Sequence, residues 1–79
     1  DMKVYPNPAN LSSEINLDVP EAMVGGKAVL YDANGAKIKT FDVTKRTETI
    51  STTNLKAGNY FVELNKESIS MKRQLIVVQ

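Results

Sequence analysis

The chain contains no cysteine, no histidine and no tryptophan. Without cysteine there is no disulfide, no thiol nucleophile and no zinc–thiolate site. Without histidine it lacks the commonest general base and a principal metal ligand. Charge of one sign is missing too. Ten basic residues stand against nine acidic ones, for a net charge of +1, and the basic clusters are only the pairs Lys45-Arg46 and Lys72-Arg73. Nucleic-acid recognition needs a basic stripe, usually interleaved with stacking aromatics, so no nucleic-acid partner is expected. No apolar run approaches the ~20 residues that span a bilayer as a helix. No leader is visible either, because Asp1-Met2-Lys3 runs straight into a strand-like stretch. A start at Asp, not Met, is expected of a piece cut from a larger protein.

What remains is enough for one small domain. The 79 residues are 42% apolar, which supports a single core over residues 1–79 and argues against disorder. Stability of roughly 0.05–0.15 kcal/mol per residue gives a total of about 4–12 kcal/mol, so one poor core substitution is a threat to the fold. The nine carboxylates are scattered over turns and polar strand faces. No second catalytic group accompanies them, so neither catalysis nor a metal or cofactor is expected. Asp32-x-Asn34-Gly35 lacks the further ligands of a calcium loop and reads as a turn.

Short runs rich in Val, Ile, Thr and Tyr recur between turn residues every 8–12 positions or so, the punctuation of an all-β domain. The expected strands are Met2–Tyr5, Leu11–Asp18, Lys27–Asp32, Ala36–Val43, Thr47–Thr52, Asn59–Asn65 and Ile69–Val78. Ile15, Leu17 and Val19 alternate with polar residues, as in a strand half buried in a sheet. Pro20–Gly26 is a loop with room for a helical turn. Around Asn34-Gly35 two hairpin registers compete. A two-residue turn sets Tyr31 opposite Ile38. A type I turn over Asp32–Gly35, with Gly35 left-handed in a bulge, sets Leu30 opposite Ile38 and Ala28 opposite Thr40. The second pairs the apolar residues better and is the expected one. Thr47–Thr52 has one inward candidate, Ile50, and is expected at an edge. Together these features predict a compact immunoglobulin-like antiparallel β-sandwich of about seven strands.

Four segments carry more than fold information. Pro6-Asn7-Pro8 fixes two φ angles and removes two backbone donors, so it ends the first strand. Gly58 stands two residues before Tyr60 at the mouth of a strand, where a positive φ or a close backbone approach favours glycine. Tyr60 is expected to bury its ring with its hydroxyl at the rim. In the last strand Ile69, Met71, Leu75 and Val77 share one face, interrupted by Arg73, while Ile76 and Val78 occupy the other. A strand apolar on both faces must be central or covered; at an edge it offers its backbone to a second chain.

In their order and spacing, Val4-Tyr5-Pro6-Asn7-Pro8-Ala9, Leu30-Tyr31-Asp32-Ala33-Asn34-Gly35, Leu55-x-x-Gly58-x-Tyr60-x-Val62-x-Leu64 and Lys72-Arg73-Gln74-Leu75-Ile76-Val77-Val78 are similar to the C-terminal sorting domains of proteins exported by the type IX (Por) secretion system of Bacteroidetes. The resemblance spans essentially the whole chain. It implies an export signal at the C-terminus of a cargo protein, with Gly58, Tyr60, Lys72, Leu75, Ile76 and Val77 as recognition candidates. It also implies periplasmic transit to the cell surface or extracellular space. The implied partners are an outer-membrane translocon, a β-barrel shuttle protein and a sortase-like cysteine peptidase that removes the domain. A homodimer through the C-terminal strand is a further expectation. The competing reading is a non-catalytic surface β-sandwich that binds carbohydrate or protein, which usually displays several exposed aromatics. Here there are five aromatics in all, and the core needs at least two.

Overall fold

The computed structural model describes residues 1–79. Eight strands follow one another: β1 (Lys3–Tyr5), β2 (Ala9–Asn10), β3 (Glu14–Asp18), β4 (Lys27–Asp32), β5 (Lys37–Asp42), β6 (Thr47–Ser51), β7 (Gly58–Lys66) and β8 (Ile69–Val78). They form a three-stranded sheet ordered β1-β3-β6 and a five-stranded sheet ordered β2-β8-β7-β4-β5. The inner faces of the two sheets supply one continuous core, which makes the domain the β-sandwich that the alternation predicts.

The period-2 pattern decides which residues meet. Ile15 and Leu17 of β3, with Val19 beyond it, are buried, and Ile50 of β6 lies directly opposite Ile15. Tyr60, Val62 and Leu64 line the inner face of β7, and β4 adds Ala28 and Leu30. Each fully buried aliphatic side chain contributes about 1.5–3 kcal/mol relative to exposure, a large fraction of the total expected for so short a chain. β6 lies at the edge of its sheet with Ile50 as its one buried residue, as expected. Pro20–Gly26 contains a single 3₁₀ turn over Glu21–Met23, which inserts Met23 into the core.

Three expectations are corrected. The run Leu11–Asp18 is not one strand: Ser13 N–H turns back onto the Asn10 carbonyl at 2.9 Å, and β3 begins only at Glu14. The buried Thr52 hydroxyl holds this turn through the carbonyls of Leu11 and Ser13. The residues before the turn form a strand of their own, β2, which runs parallel to β8 with Ala9 opposite Val77 and Asn10 opposite Val78. The sandwich is therefore not purely antiparallel. A parallel pair needs a long connection between its members, and here nearly the whole domain serves as that connection.

The third correction concerns the β4–β5 hairpin. Its turn forms as expected, with Gly35 N–H bonded to the Asp32 carbonyl at 3.0 Å and Gly35 at φ 84°. Asp32 Oδ1 also accepts from the backbone N–H groups of Asn34 and Ala36, both at 2.9 Å. Tyr31 then faces Lys37, but Leu30 faces Lys39 and Ala28 faces Phe41, not Ile38 and Thr40. Ile38 is accommodated as an extra residue at a register shift and is 39% exposed. The shift brings Phe41 against the core in place of Thr40, and the larger apolar ring gains more from leaving water.

Candidate functional site

The signature residues on β7 and β8 meet because those strands pair along their full length. Gly58 lies opposite Val77, Asn59 opposite Ile76 and Tyr60 opposite Leu75. Gly58 has φ 157°, a backbone region that side chains disfavour. An added Cβ there would meet nothing within 4 Å, so backbone conformation, not crowding, calls for glycine. Lys72 sits farther along β8, opposite Glu63.

The pleat divides the candidates. Tyr60, Leu75 and Val77 point inward and are 6%, 0% and 1% exposed. Lys72, Gln74, Ile76 and Val78 alternate with them and share the outward face, where Ile76 is 36% and Val78 39% exposed. Arg73 interrupts the inner row, as expected, and reaches sideways to Asp1 at 2.9 Å. Both partners are substantially exposed, so this ion pair contributes little to stability.

Tyr60 does more than fill the core. Its hydroxyl donates to the Lys56 carbonyl at 2.6 Å and accepts from the Lys56 N–H at 3.0 Å. A tyrosine bonding back to the chain just before its own strand is the tyrosine-corner arrangement of β-sandwiches. It pins the Leu55–Gly58 turn to the start of β7, with Leu55 anchored in the core. Of the other aromatics, Tyr31, Phe41 and Phe61 are half-buried and Tyr5 is exposed.

The outer edge of β8 is closed over its last residues. Asn7 spans it with both ends of its amide: Nδ2 donates to the Gln74 carbonyl at 2.8 Å, and Oδ1 accepts from the Ile76 N–H at 2.9 Å. β2 continues the cover, and Leu11 N–H donates to the Val78 carbonyl at 3.0 Å. Pro6 and Pro8 have no N–H to offer a neighbouring strand, so the side chain between them acts as a peptide substitute. The segment Ile69–Arg73 has β7 on one side and no strand on the other.

Glu63 organises the outward face beside Lys72. It accepts from Tyr31 Oη at 3.0 Å, Asn65 Nδ2 at 3.1 Å and Ser70 Oγ at 3.4 Å. The Asn65 and Tyr31 hydrogen bonds, aided by the Lys72 charge, hold its carboxyl below the ordinary glutamate range. The same Glu63 bond pushes the Tyr31 phenol up. Glu48 is likewise lowered, chiefly by the Thr44 backbone N–H. These are structural hydrogen bonds among a carboxylate, hydroxyls and an amide, with no nucleophile–base pair among them. No three of the Asp and Glu residues cluster as metal ligands.

Neither Asn7 nor Glu63 is among the six recognition candidates that the sequence resemblance implies. For Asn7 a signal exists: a lone amide between two prolines is the one group there able to replace the missing backbone donors. Glu63 carries no such mark, since its partners Tyr31 and Ser70 lie on other strands.

Comparison with known proteins bears on the same residues. Beta-agarase A of Zobellia galactanivorans is 29% identical over 68 residues, which are 86% of this chain and 12% of that protein. The chain thus spans only a small part of that relative's length. A family model described as the secretion system C-terminal sorting domain matches residues 3–78, from the start of β1 to the end of β8. The Pro-Asn-Pro cover, the Tyr60 corner and the β8 strand thus all fall inside the match, and the chain belongs to the type IX secretion system C-terminal sorting domain family, which is a family of export signals and not of enzymes.

Proposed function

We propose that this domain stands at the C-terminal end of a larger cargo protein and is read at the outer membrane by a translocon and a β-barrel shuttle protein. The cargo first reaches the periplasm and leaves it for the cell surface or extracellular space. A sortase-like cysteine peptidase then removes the domain and attaches the cargo to an anionic lipopolysaccharide. The observation that carries the reading is the family match over residues 3–78, together with the exposed row Lys72, Gln74, Ile76 and Val78 on one face of the last strand. Within this reading Lys72 and Ile76 touch the receptor. Gly58, Tyr60, Leu75 and Val77 act through the fold, because they set the backbone and the inner face that hold the outward row in place. A homodimer through the C-terminal strand has one stretch to use, the uncovered edge of Ile69–Arg73.

The test is a fusion of residues 1–79 to a periplasmic reporter in a cell competent for type IX secretion. Surface delivery of the intact fusion, and its loss on deleting Leu75–Gln79, are the expected results. Delivery at the normal level without those residues refutes the signal reading of this strand. The deletion removes two core residues, so Lys72→Ala is needed beside it. As an exposed change it alters stability by less than about 0.5 kcal/mol, and it is expected to reduce export while leaving the melting temperature unchanged. Normal export of Lys72→Ala rules out recognition of this lysine. Processing is read separately: a reporter that reaches the surface at the mass of the uncleaved fusion, in a cell with an active peptidase, rules out removal of the domain.

A further inference from the structure

We propose that Asn7 is a positioning residue for the C-terminal signal strand: its side chain closes the outer edge at Gln74 and Ile76, so that the last residues of the strand are read by their outward side chains and not by their backbone. This deepens the export reading and rests on it. A strand near the end of a chain, with apolar residues on both faces, is open to recognition in two ways. A partner can add a strand to its edge, or it can contact the side chains on its exposed face. Here the edge route is blocked from Gln74 to Val78. The Gln74 carbonyl and the Ile76 N–H are both taken by Asn7, the Val78 carbonyl is taken by Leu11, and β2 pairs with Val77 and Val78. The face route is open, with Ile76 and Val78 more than one-third exposed.

Asn7 is suited to this task by chemistry as well as position. Its amide carries a donor and an acceptor at the spacing of a peptide group, and the prolines on either side limit the conformations of the turn that presents it. The clamp joins Asn7 to residues 67 and 69 positions away in sequence. Two signatures at opposite ends of the chain thus form one physical unit. Loss of the clamp frees the Gln74 carbonyl and the Ile76 N–H, and the outer edge of β8 is then open between Gln74 and the β2 pairing at Val77 and Val78.

The experiment compares the intact chain with Asn7→Ala and Asn7→Asp, measuring export of the reporter fusion and amide hydrogen exchange of the free domain. Asn7→Ala is expected to speed exchange at the Ile76 amide by about tenfold, the scale of one net hydrogen bond. The Val62 amide, in the interior of β7, should stay protected, and export should fall severalfold. Asn7→Asp keeps an acceptor for the Ile76 N–H but sets a carboxylate against the Gln74 carbonyl. It should recover part of the Ile76 protection and a matching part of the export. If Asn7→Ala loses Val62 protection as well, its fold is gone and Asn7→Asp alone decides. Export that follows Ile76 protection then supports the assignment, and full export with that protection lost overturns it. Three results from a folded Asn7→Ala also overturn it: unchanged export with Ile76 deprotected, unchanged Ile76 protection, or a rise in export, which would indicate reading by the edge. Failure of the intact fusion to reach the surface counts against the export reading itself and is recognised by that control.

Discussion

Replacing Tyr60 with phenylalanine removes one oxygen atom and leaves the buried ring in place, so it isolates what the corner contributes. The hydroxyl makes two hydrogen bonds to the Lys56 peptide, at 2.6 and 3.0 Å. Each net bond contributes about 0.5–1.5 kcal/mol. Lys56 is exposed, so water can replace part of what is lost, and the expected cost is about 1–2 kcal/mol. For a domain of this size that lowers the melting temperature by roughly 4–16 °C. Tyr60→Ala also empties the ring's site between the sheets and should cost about 3–5 kcal/mol, against a total of about 4–12 kcal/mol. The assay is urea denaturation of the wild type and both variants, with circular dichroism as the signal. Tyr60→Phe should shift the midpoint with the slope unchanged, whereas Tyr60→Ala should leave a domain near its unfolding threshold. A Tyr60→Phe midpoint equal to wild type would refute a net contribution from the corner. Equal shifts for the two variants would mean that the ring itself contributes nothing.

Other consequences follow from particular side chains. The folded-state carboxyl of Glu63 is lowered by its Asn65 and Tyr31 hydrogen bonds, so its contribution is full above the unfolded pKa of about 4.3 and is lost as pH falls through the lower folded value. Glu63→Gln should therefore flatten the acid limb of a melting-temperature profile, and an acid limb of wild-type slope would count against the cluster. Thr52→Val removes the hydroxyl shared by the Leu11 and Ser13 carbonyls and should cost about 1–3 kcal/mol, since buried acceptors lose a partner; a thermal melt that matches wild type would show that the carbonyls find other donors. If two copies associate through the open Ile69–Arg73 edge, Ser70→Pro should abolish the dimer in sedimentation equilibrium. By strand alternation the Ser70 N–H points away from β7, so proline there blocks the edge without breaking a backbone bond to β7, and gives up only the exposed 3.4 Å hydrogen bond from the Ser70 hydroxyl to Glu63. A dimer that survives this substitution uses another surface.

Much of this protein was legible in the residues alone, for a local reason. A side chain's face is set by its parity along a strand, so Ile15, Leu17 and Val19 are buried as their alternation predicts, and the Tyr60 ring is buried as expected. The Asp32–Gly35 turn follows from a short acceptor side chain and a glycine free to adopt positive φ. The order and spacing of four motifs sufficed to suggest the family that the comparison identifies. What the tertiary structure alone decided involves partners far apart in the chain. The Ile38 bulge depends on whether Phe41 or Thr40 gains more from facing the opposite sheet. The parallel pairing of β2 with β8, and the Asn7 clamp on Gln74 and Ile76, bring together residues nearly a whole domain apart. Local propensity carries no information about which distant edge a turn will meet, because that is settled by how the two sheets close over their shared core.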